Sequence, residues 1–221
     1  MTKLLFVRHG KTEWNLEGRY QGSQGDSPLL PASYDEIHQL AAALHDIQFS
    51  HIYASPLKRA RDTAMTLQQD LSQPGLPLTI LSRLREFNLG KMEGMAFTDV
   101  AERYPLEFED FRQHPDHYDP TMIHGESFQQ LLKRMTPAIN QIVAANPRRT
   151  DNVLVVSHGA ALNALVNTLL GASLATLRQR GGLSNTSTTI LETRDRGKHY
   201  NLLLWNDTSY LSREPDPTDT I

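Results

Sequence analysis

The stretch LLFVRHGKTEWN, residues 4–15, joins an apolar run directly to an arginine and a histidine. A continuous run of Leu, Phe and Val is typical of a strand that is buried on both faces of a sheet. Arg8 and His9 interrupt this apolar pattern at once. The sequence therefore predicts a buried strand over Lys3–Val7 whose carboxyl end presents Arg8 and His9.

Three further apolar segments are predicted to be strands: His51–Ala54, Leu78–Leu81 and Asn152–Val156. Apolar residues recur at helical spacing in four segments: Tyr34–Leu44, Leu57–Leu71, Phe128–Ala145 and Ala160–Leu170. Strands that alternate with helices form a doubly wound, mostly parallel sheet with helices on both faces. The expected fold class is α/β, with a three-layer α/β/α sandwich.

The remaining segments complete one domain, which we expect over residues 1–206. Ser187–Glu192 and Tyr200–Trp205 predict two antiparallel strands, because their connection is too short for a helical crossover. Residues 90–125 are less regular and predict an excursion over one edge of the sheet. The polar, proline-bearing tail, residues 207–221, is expected to fray.

Composition narrows the classes of function. A formal net charge of −3 over 221 residues argues against nonspecific nucleic-acid binding, and the lack of cysteine excludes disulfides and thiolate chemistry. There is no signal-peptide pattern, and no apolar stretch approaches the roughly 18 residues that span a bilayer. We expect a cytoplasmic protein with no membrane or nucleic-acid partner, in which the N-x-S/T matches at Asn185 and Asn206 are accidental.

Reactive side chains follow each of the first four predicted strands. Arg8 and His9 follow the first, and Arg59, Glu86 and His158 follow the second, third and fourth. In an open α/β sheet, the carboxyl ends of the strands line the crevice where ligands bind. Arginines would repel a divalent metal ion, whereas their paired donors suit the oxygens of a phosphoryl group. We therefore expect a phosphate site with no metal and no other cofactor.

The same residues provide a nucleophile and a proton donor. A neutral imidazole can attack phosphorus and form a covalent intermediate, and nearby cations disfavour its protonation. His9 and His158 are both candidates for this role. Glu86 can protonate the leaving oxygen and later take a proton from water, with Glu93 as a rival donor.

Four segments together resemble the motifs of the histidine phosphatase superfamily, the phosphoglycerate mutase-like proteins. They are RHGKTEWN at 8–15, SPLKRARDT at 55–63, LREFNLGKMEG at 84–94 and VSHGAALNAL at 156–165. They occur in the family's order, each on the expected structural element. The resemblance implies the phosphoglycerate mutase-like fold and metal-independent chemistry.

The resemblance also implies a role for each matching residue. His9 would be the nucleophile that becomes phosphohistidine, and Glu86 the proton donor. The residues expected to hold the phosphoryl group or the substrate are Arg8, Asn15, Gln21, Gly22, Arg59, Glu86 and His158. Leu30, Ser33 and Glu36 depart from the family pattern, and we expect these differences to alter the substrate wall beside the phosphate pocket.

Some of these residues also allow a purely structural interpretation. Arg59 could be a helix-face cation paired with Asp62, and His158 could satisfy backbone groups at a helix start. Gly125, Glu126 and Ser127 resemble a family motif, and they also fit a helix start capped by Ser127. One loop cluster invites a metal interpretation, but its spacing matches no zinc pattern, so a solvated loop is preferred: His114, Asp116, His117, Asp119 and His124.

Three functions remain open. The first is a phosphatase that hydrolyses small phosphorylated metabolites, the second a 2,3-bisphosphoglycerate-dependent phosphoglycerate mutase, and the third a noncatalytic phosphate-binding module. Mutases of this family usually continue R-H-Y-G after the glutamate, where this chain has FNLGKMEG, so the phosphatase is preferred. No catalytic histidine or arginine is missing, which disfavours the binding module.

The substrate and the oligomeric state are less constrained. Phosphatase candidates are a broad-specificity phosphomonoesterase, an α-ribazole phosphatase and a fructose-bisphosphatase-like enzyme. Five residues would suit an apolar or aromatic substrate group, unless they belong to the core: Met92, Met95, Phe97, Phe108 and Phe111. A homo-oligomer is compatible with the sequence.

Overall fold

A six-stranded sheet with the strand order β3-β2-β4-β1-β5-β6 runs through the centre of the protein. The computed structural model describes residues 1–213 and 216–219. The strands are β1 (Thr2–Arg8), β2 (His51–Ala54), β3 (Leu78–Ile80), β4 (Asn152–Ser157), β5 (Thr188–Thr193) and β6 (Asn201–Asp207). The first four are parallel, and β5 and β6 are antiparallel additions beside β1. The predicted α/β class, the mostly parallel sheet and the antiparallel late pair are confirmed.

Among the described residues, seven α-helices accompany the sheet. They are α1 (Glu13–Leu16), α2 (Pro31–Ala43), α3 (Lys58–Leu71), α4 (Phe97–Arg103), α5 (Pro105–Gln113), α6 (Phe128–Ala145) and α7 (Gly159–Leu169). Alternate side chains of β1 enter two separate cores. Leu5 and Val7 pack with residues of α2 and α3, whereas Leu4 and Phe6 pack with residues of α6 and α7. This division produces the predicted three layers, because successive side chains of a strand point to opposite faces.

The excursion at residues 90–125 is more regular than its sequence predicts. It contains α4 and α5, which are separated only by Tyr104. Pro105 begins α5, a favourable position because the first turn of a helix does not use that N–H. Phe111 of α5 is buried in the main core, so the excursion is anchored to the body of the domain.

The C-terminal segment also differs from the expectation of fraying. Asp207 still belongs to β6, and Arg8, the last residue of β1, donates to the carbonyl oxygen of Asp219. Residues 214, 215, 220 and 221 of the predicted tail lie outside the described residues. The Nζ of Lys11 lies 2.8 Å from a carboxylate oxygen of Asp216 and 3.0 Å from one of Asp219. Asp219 is 1% exposed. The described part of the tail is therefore tied to the loop that follows β1.

Within residues 1–213 and 216–219, no helix is long and apolar enough to cross a membrane. The cytoplasmic location stays a prediction.

Candidate active site

A small pocket opens where β1 and β4 end. Its lining contains six of the predicted site residues: His9, Asn15, Gln21, Gly22, Arg59 and Glu86. The two others, Arg8 and His158, are fully buried, and the His158 ring lies edge-on to the His9 ring with centroids 5.2 Å apart. The fold thus brings together all the residues that the strand ends predict.

The imidazole of His9 is held in one tautomer. Its Nδ1 lies 2.8 Å from the Gly10 carbonyl oxygen, which can only accept, so Nδ1 carries the proton. The Nε–H of Arg59 donates to Nε2 of His9 at 3.2 Å, which leaves the lone pair on Nε2. Burial, reinforced by the charges of Arg59 and Arg8, lowers the pKa of His9 well below 6.5. Nε2 is therefore an unprotonated nitrogen that faces the pocket cations and is suited to act as a nucleophile.

Arg59 is fixed by the loop that crosses the pocket mouth. Its guanidinium donates to the carbonyl oxygens of Gly22 (2.8 Å) and Gly25 (2.9 Å) and to Oδ1 of Asp26 (3.1 Å). The alternative pairing of Arg59 with Asp62 is wrong, because Asp62 pairs with Lys58. Arg59 is only 1% exposed, so it acts inside the pocket and not on the helix surface.

Arg8 and His158 carry polar atoms that lack protein partners. Nη1 of Arg8 donates to the carbonyl oxygens of Leu183 and Asp219. Its Nε and Nη2, and Nδ1 of His158, are buried and have no hydrogen-bond partner among the described residues. Unmet buried polar atoms are costly unless a ligand completes them. A phosphoryl group, whose oxygens accept hydrogen bonds, fits the unmet N–H groups of Arg8.

His158 is oriented by a side chain. Its Nε2 lies 2.7 Å from Oγ of Ser55, at the carboxyl end of β2. The alternative in which His158 satisfies backbone groups therefore has no support from its ring contacts. Burial, followed by the charge of Arg59, lowers the pKa of His158 well below 6.5.

Glu86 lies against the first turn of α7. Its Oε1 accepts from the N–H groups of Ala161 (2.8 Å) and Phe87 (2.9 Å), and its Oε2 accepts from Ala160 (3.1 Å). Burial raises the pKa of Glu86 above 4.5, although these hydrogen bonds and Arg59 favour the charged form. A carboxyl group with a raised pKa in this position is suited to donate a proton to a leaving oxygen.

Glu93, the rival donor, has a structural position. Its two oxygens accept backbone N–H groups from four residues, at 2.7 to 3.0 Å: Ser23, Gln24, Gly25 and Leu89. It thereby holds the loop whose carbonyls fix Arg59. Gly22 of this loop has φ +63°, and a Cβ there would lie 2.2 Å from Oε1 of Glu93. Only glycine allows the loop to approach this closely.

Asn15 and Gln21 are joined through Thr12. Thr12 caps α1 in a capping box with Asn15, and Nε2 of Gln21 donates to the Thr12 hydroxyl at 2.7 Å. This capping box begins the short helix α1, which lies outside the segments that the apolar periodicity identifies. Asn15 and Gln21 are thus fixed at the pocket wall by one short helix start.

The three departures from the family pattern do not line the pocket. The Ser33 hydroxyl donates to the Lys11 carbonyl oxygen at 2.7 Å, and Glu36 pairs with Arg213 at 2.6 Å. The N–H of Leu30 also donates to the Lys11 carbonyl. Leu30 and Ser33 therefore contact the loop after β1, Glu36 contacts the C-terminal segment, and the expected effect of these residues on the adjoining substrate wall stays a prediction.

The structure shows two residues, Asn185 and Arg134, that support the site and were not predicted from the sequence. Nδ2 of Asn185 donates to the His9 carbonyl oxygen at 3.1 Å, although Asn185 carries only an N-x-S/T match in sequence. Arg134 donates to the Glu86 carbonyl oxygen at 2.9 Å and makes a two-point contact with Glu126 at 2.7 and 2.8 Å. The G-E-S motif is the one sequence signal for this second contact, and Ser127 also forms the expected cap of α6.

The loop cluster does not assemble as a metal site. His114 and His117 stack with ring centroids 5.7 Å apart, and Asp119 accepts hydrogen bonds from Thr121. In the part of the chain that the structure describes, no group of three or more His, Asp and Glu side chains could hold a metal ion.

Comparisons with known proteins agree with this geometry. A family model described as histidine phosphatase superfamily (branch 1) matches residues 4–208. The chain is 32% identical over 213 residues to a metal-independent phosphoserine phosphatase of Arabidopsis thaliana, a match that covers 96% of this chain and 84% of the relative. It is 35% identical over 173 residues to a probable phosphoglycerate mutase of Escherichia coli, covering 77% of this chain and 76% of the relative. A solved mycobacterial glucosyl-3-phosphoglycerate phosphatase superposes with a TM-score of 0.82 and 29% identity, over 92% of this chain and 98% of that chain.

Proposed function

We propose, from the premise that this chain belongs to the histidine phosphatase superfamily, that it hydrolyses small phosphorylated metabolites through a phosphohistidine at His9. The family predicted from the four sequence motifs is confirmed, and so is its fold. The observation that carries the proposal is the unprotonated Nε2 of His9, which faces Arg59 beside the unmet donors of Arg8.

The first step transfers the phosphoryl group to the enzyme. Nε2 of His9 attacks phosphorus, an N–P bond forms and the ester P–O bond breaks. Glu86 gives its proton to the leaving oxygen, so that the product departs as a neutral alcohol group. Arg8 and Arg59 stabilise the charge on the phosphoryl oxygens, because positioning and electrostatic stabilisation supply most of the catalysis in phosphoryl transfer.

The second step releases inorganic phosphate. Glu86, now a carboxylate, takes a proton from a water molecule that attacks phosphorus from the position of the departed product. The N–P bond breaks, its electron pair returns to Nε2, and neutral His9 is regenerated. No metal ion is required in either step.

A mutase is the second candidate, supported by the similarity to a relative named as a probable phosphoglycerate mutase. Three features support the phosphatase: the name of the Arabidopsis relative, the residues FNLGKMEG after Glu86, and VSHGAAL at 156–162. The noncatalytic binding module has less support, because every residue that the mechanism needs is in place.

A substrate screen tests the proposal. We expect the protein to release phosphate from p-nitrophenyl phosphate and from small phosphomonoesters, and to form an acid-labile phosphohistidine detectable by mass spectrometry. His9→Ala should abolish both, whereas His45→Ala, at an exposed histidine, should change neither. EDTA should have no effect.

Two results would contradict the proposal. Retained hydrolysis by His9→Ala would overturn the mechanism. Interconversion of 2- and 3-phosphoglycerate with a 2,3-bisphosphoglycerate primer, faster than phosphate release, would identify the chain as a mutase.

A further inference from the structure

A group of unpaired polar atoms lies beside the catalytic pocket, outside the residues that the mechanism uses. Oη of Tyr20, Nη1 of Arg112 and Nε of Arg178 are buried and have no hydrogen-bond partner among the described residues. Tyr20 is 1% exposed and lines the pocket together with His9 and Glu86. The group therefore adjoins the space that a substrate would occupy.

Arg178 is held without an anion. Its Nη2 donates to the Phe111 carbonyl oxygen at 2.9 Å, and its guanidinium carbon lies 5.3 Å from the Phe111 ring centroid and 5.8 Å from that of Phe128. No carboxylate within residues 1–213 and 216–219 forms a salt bridge with it. Burial lowers the pKa of Arg178 from 12.5 to about 10, and the charge of Glu86 opposes this shift. The buried Nε of Arg178 has no partner among the described residues, which is costly, and an anion beside it would recover that cost.

Arg112 approaches the same tyrosine from α5. Its guanidinium carbon lies 5.3 Å from the Phe97 ring centroid and 5.1 Å from that of Phe108, and it too has no carboxylate partner in the described chain. The Tyr20 ring packs against Phe97, with centroids 4.6 Å apart. Burial raises the pKa of Tyr20, and the charges of Arg112 and Arg178 oppose that rise.

Phe111 connects this group to the pocket. Its ring lines the pocket, its centroid is 6.1 Å from that of Tyr20, and its carbonyl holds Arg178. Arg178 thus lies against Phe111, and Arg112 lies against Phe97, which packs on Tyr20, while Tyr20 and Phe111 line the pocket. Neither arginine forms a salt bridge with a carboxylate of the described residues, and a substrate that reaches from His9 to Tyr20 would bring one.

We propose that Tyr20, Arg112 and Arg178 form a second anion subsite, which binds a carboxylate carried by the leaving group of the substrate. The inference rests on the proposed function, since it names the substrate class of the same pocket. A carboxylate is the planar anion that guanidinium groups and a tyrosine hydroxyl bind with paired donors. The preferred substrates would be phosphomonoesters of small hydroxy acids. A phosphomonoester with an uncharged leaving group would leave the subsite unfilled.

Matched substrates test the subsite. 3-Phosphoglycerate and glycerol 3-phosphate have the same three-carbon length, and the first carries a carboxylate where the second carries a hydroxymethyl group. We expect kcat/KM for 3-phosphoglycerate to exceed that for glycerol 3-phosphate by about tenfold or more, the worth of one charged hydrogen bond. Most of the difference should be in KM, because the contact is remote from the reacting atoms.

Variants assign the preference to these residues. Tyr20→Phe removes only the unpartnered hydroxyl, and Arg178→Met and Arg112→Met keep an apolar side chain of similar length. Each should lower the ratio of the two kcat/KM values toward one. Tyr118→Phe, at another buried tyrosine with an unpartnered hydroxyl, and Arg103→Met should leave the ratio unchanged.

The outcomes separate the subsite from the proposed function. Equal kcat/KM for both substrates in the wild type, or equal losses on both in Tyr20→Phe, would overturn the subsite while phosphatase activity stands. A preference confined to sugar bisphosphates, measured with fructose 1,6-bisphosphate against fructose 6-phosphate, would overturn the carboxylate assignment.

A binding measurement tests the subsite if the protein shows no phosphatase activity. If no phosphomonoester is hydrolysed, the proposed function fails. Calorimetric titration of His9→Ala with 3-phosphoglycerate and glycerol 3-phosphate would then decide the subsite. About tenfold tighter binding of the acid supports the subsite, and equal affinities overturn it.

Discussion

The Nε–H of Arg59 points at the lone pair of His9 Nε2 across 3.2 Å. The resting enzyme thus covers its own nucleophile with the cation that also belongs to the phosphate site. When phosphoryl oxygens enter, they are stronger acceptors for that N–H than a neutral imidazole nitrogen. Phosphoryl oxygens that enter the pocket would therefore compete with His9 for that N–H, while Gly22, Gly25 and Asp26 keep the rest of the guanidinium in place.

Replacement of Glu86 by glutamine tests its role as proton donor. We expect hydrolysis of glycerol 3-phosphate to fall by about 100-fold or more, because an alkoxide leaving group needs the proton in the transition state. p-Nitrophenolate leaves without protonation, so p-nitrophenyl phosphate should lose far less. The two kcat/KM values measure this difference, and equal losses on both substrates would argue against proton donation.

The pH dependence follows from two shifted groups. His9 must be neutral to attack, so activity rises with pH through its pKa, which burial holds well below 6.5. Glu86 must be protonated in the first step, so activity falls as pH rises through its pKa, which burial raises above 4.5. A profile of kcat/KM on an alkyl phosphate, corrected for ionisation of the substrate, should be bell-shaped. In Glu86→Gln the alkaline limb should disappear, and its persistence would assign that limb to another group.

Glu93 should behave as a positioning residue. Glu93→Gln replaces one accepting oxygen with an amide that faces backbone N–H groups, so the loop at residues 22–25 loses part of its anchor. We expect KM to rise by about tenfold as Arg59 loses its fixed orientation, together with a lower melting temperature. Glu13→Gln, at an exposed glutamate, is the matched control and should change neither. A strong dependence on the leaving group in Glu93→Gln would instead restore Glu93 as a donor.

Asn185, which donates to the His9 carbonyl oxygen, should influence the pKa of the His9 imidazole. Asn185→Asp removes the donor to the His9 carbonyl and adds a negative charge nearby, which stabilises protonated His9. The acid limb of the pH profile should therefore move to higher pH, and kcat near pH 6 should fall. Asn185→Ala lacks the charge and should leave that limb in place, as should Asn201→Asp at an exposed position of β6. An unshifted limb in Asn185→Asp would show that Asn185 does not act on His9.

The residues that the strand pattern identifies share one property: each follows an apolar strand. Because the carboxyl ends of parallel strands meet at one edge, the positions of His9, Glu86 and His158 in the chain were enough to bring them together. Glu93 and Asn185 have no such marker. Their partners are backbone groups, and any residue type offers those, so their contacts depend on the folded path of the chain.

Prediction of secondary structure from the sequence meets the same limit at residues 90–125, where α4 and α5 were not predicted. α4 and α5 are short, and Tyr104 and Pro105 interrupt the spacing of their apolar residues. The helical pattern in each is therefore too short to be recognised from the sequence. Packing of Phe111 into the main core stabilises these helices more than local propensity does. The described C-terminal residues were expected to fray for a related reason. Their acidic composition does not show that Lys11, far away in the sequence, forms salt bridges with Asp216 and Asp219 in the folded chain.

The contact between Arg8 and residue 219 has a practical consequence for anyone who prepares this protein. Arg8 donates to the main-chain carbonyl of Asp219, so exchange of that side chain would leave the contact in place, whereas deletion of the last few residues would remove it. A change in the chain that displaces the backbone at residue 219 would therefore disturb the guanidinium of Arg8, whichever side chain stands at that position.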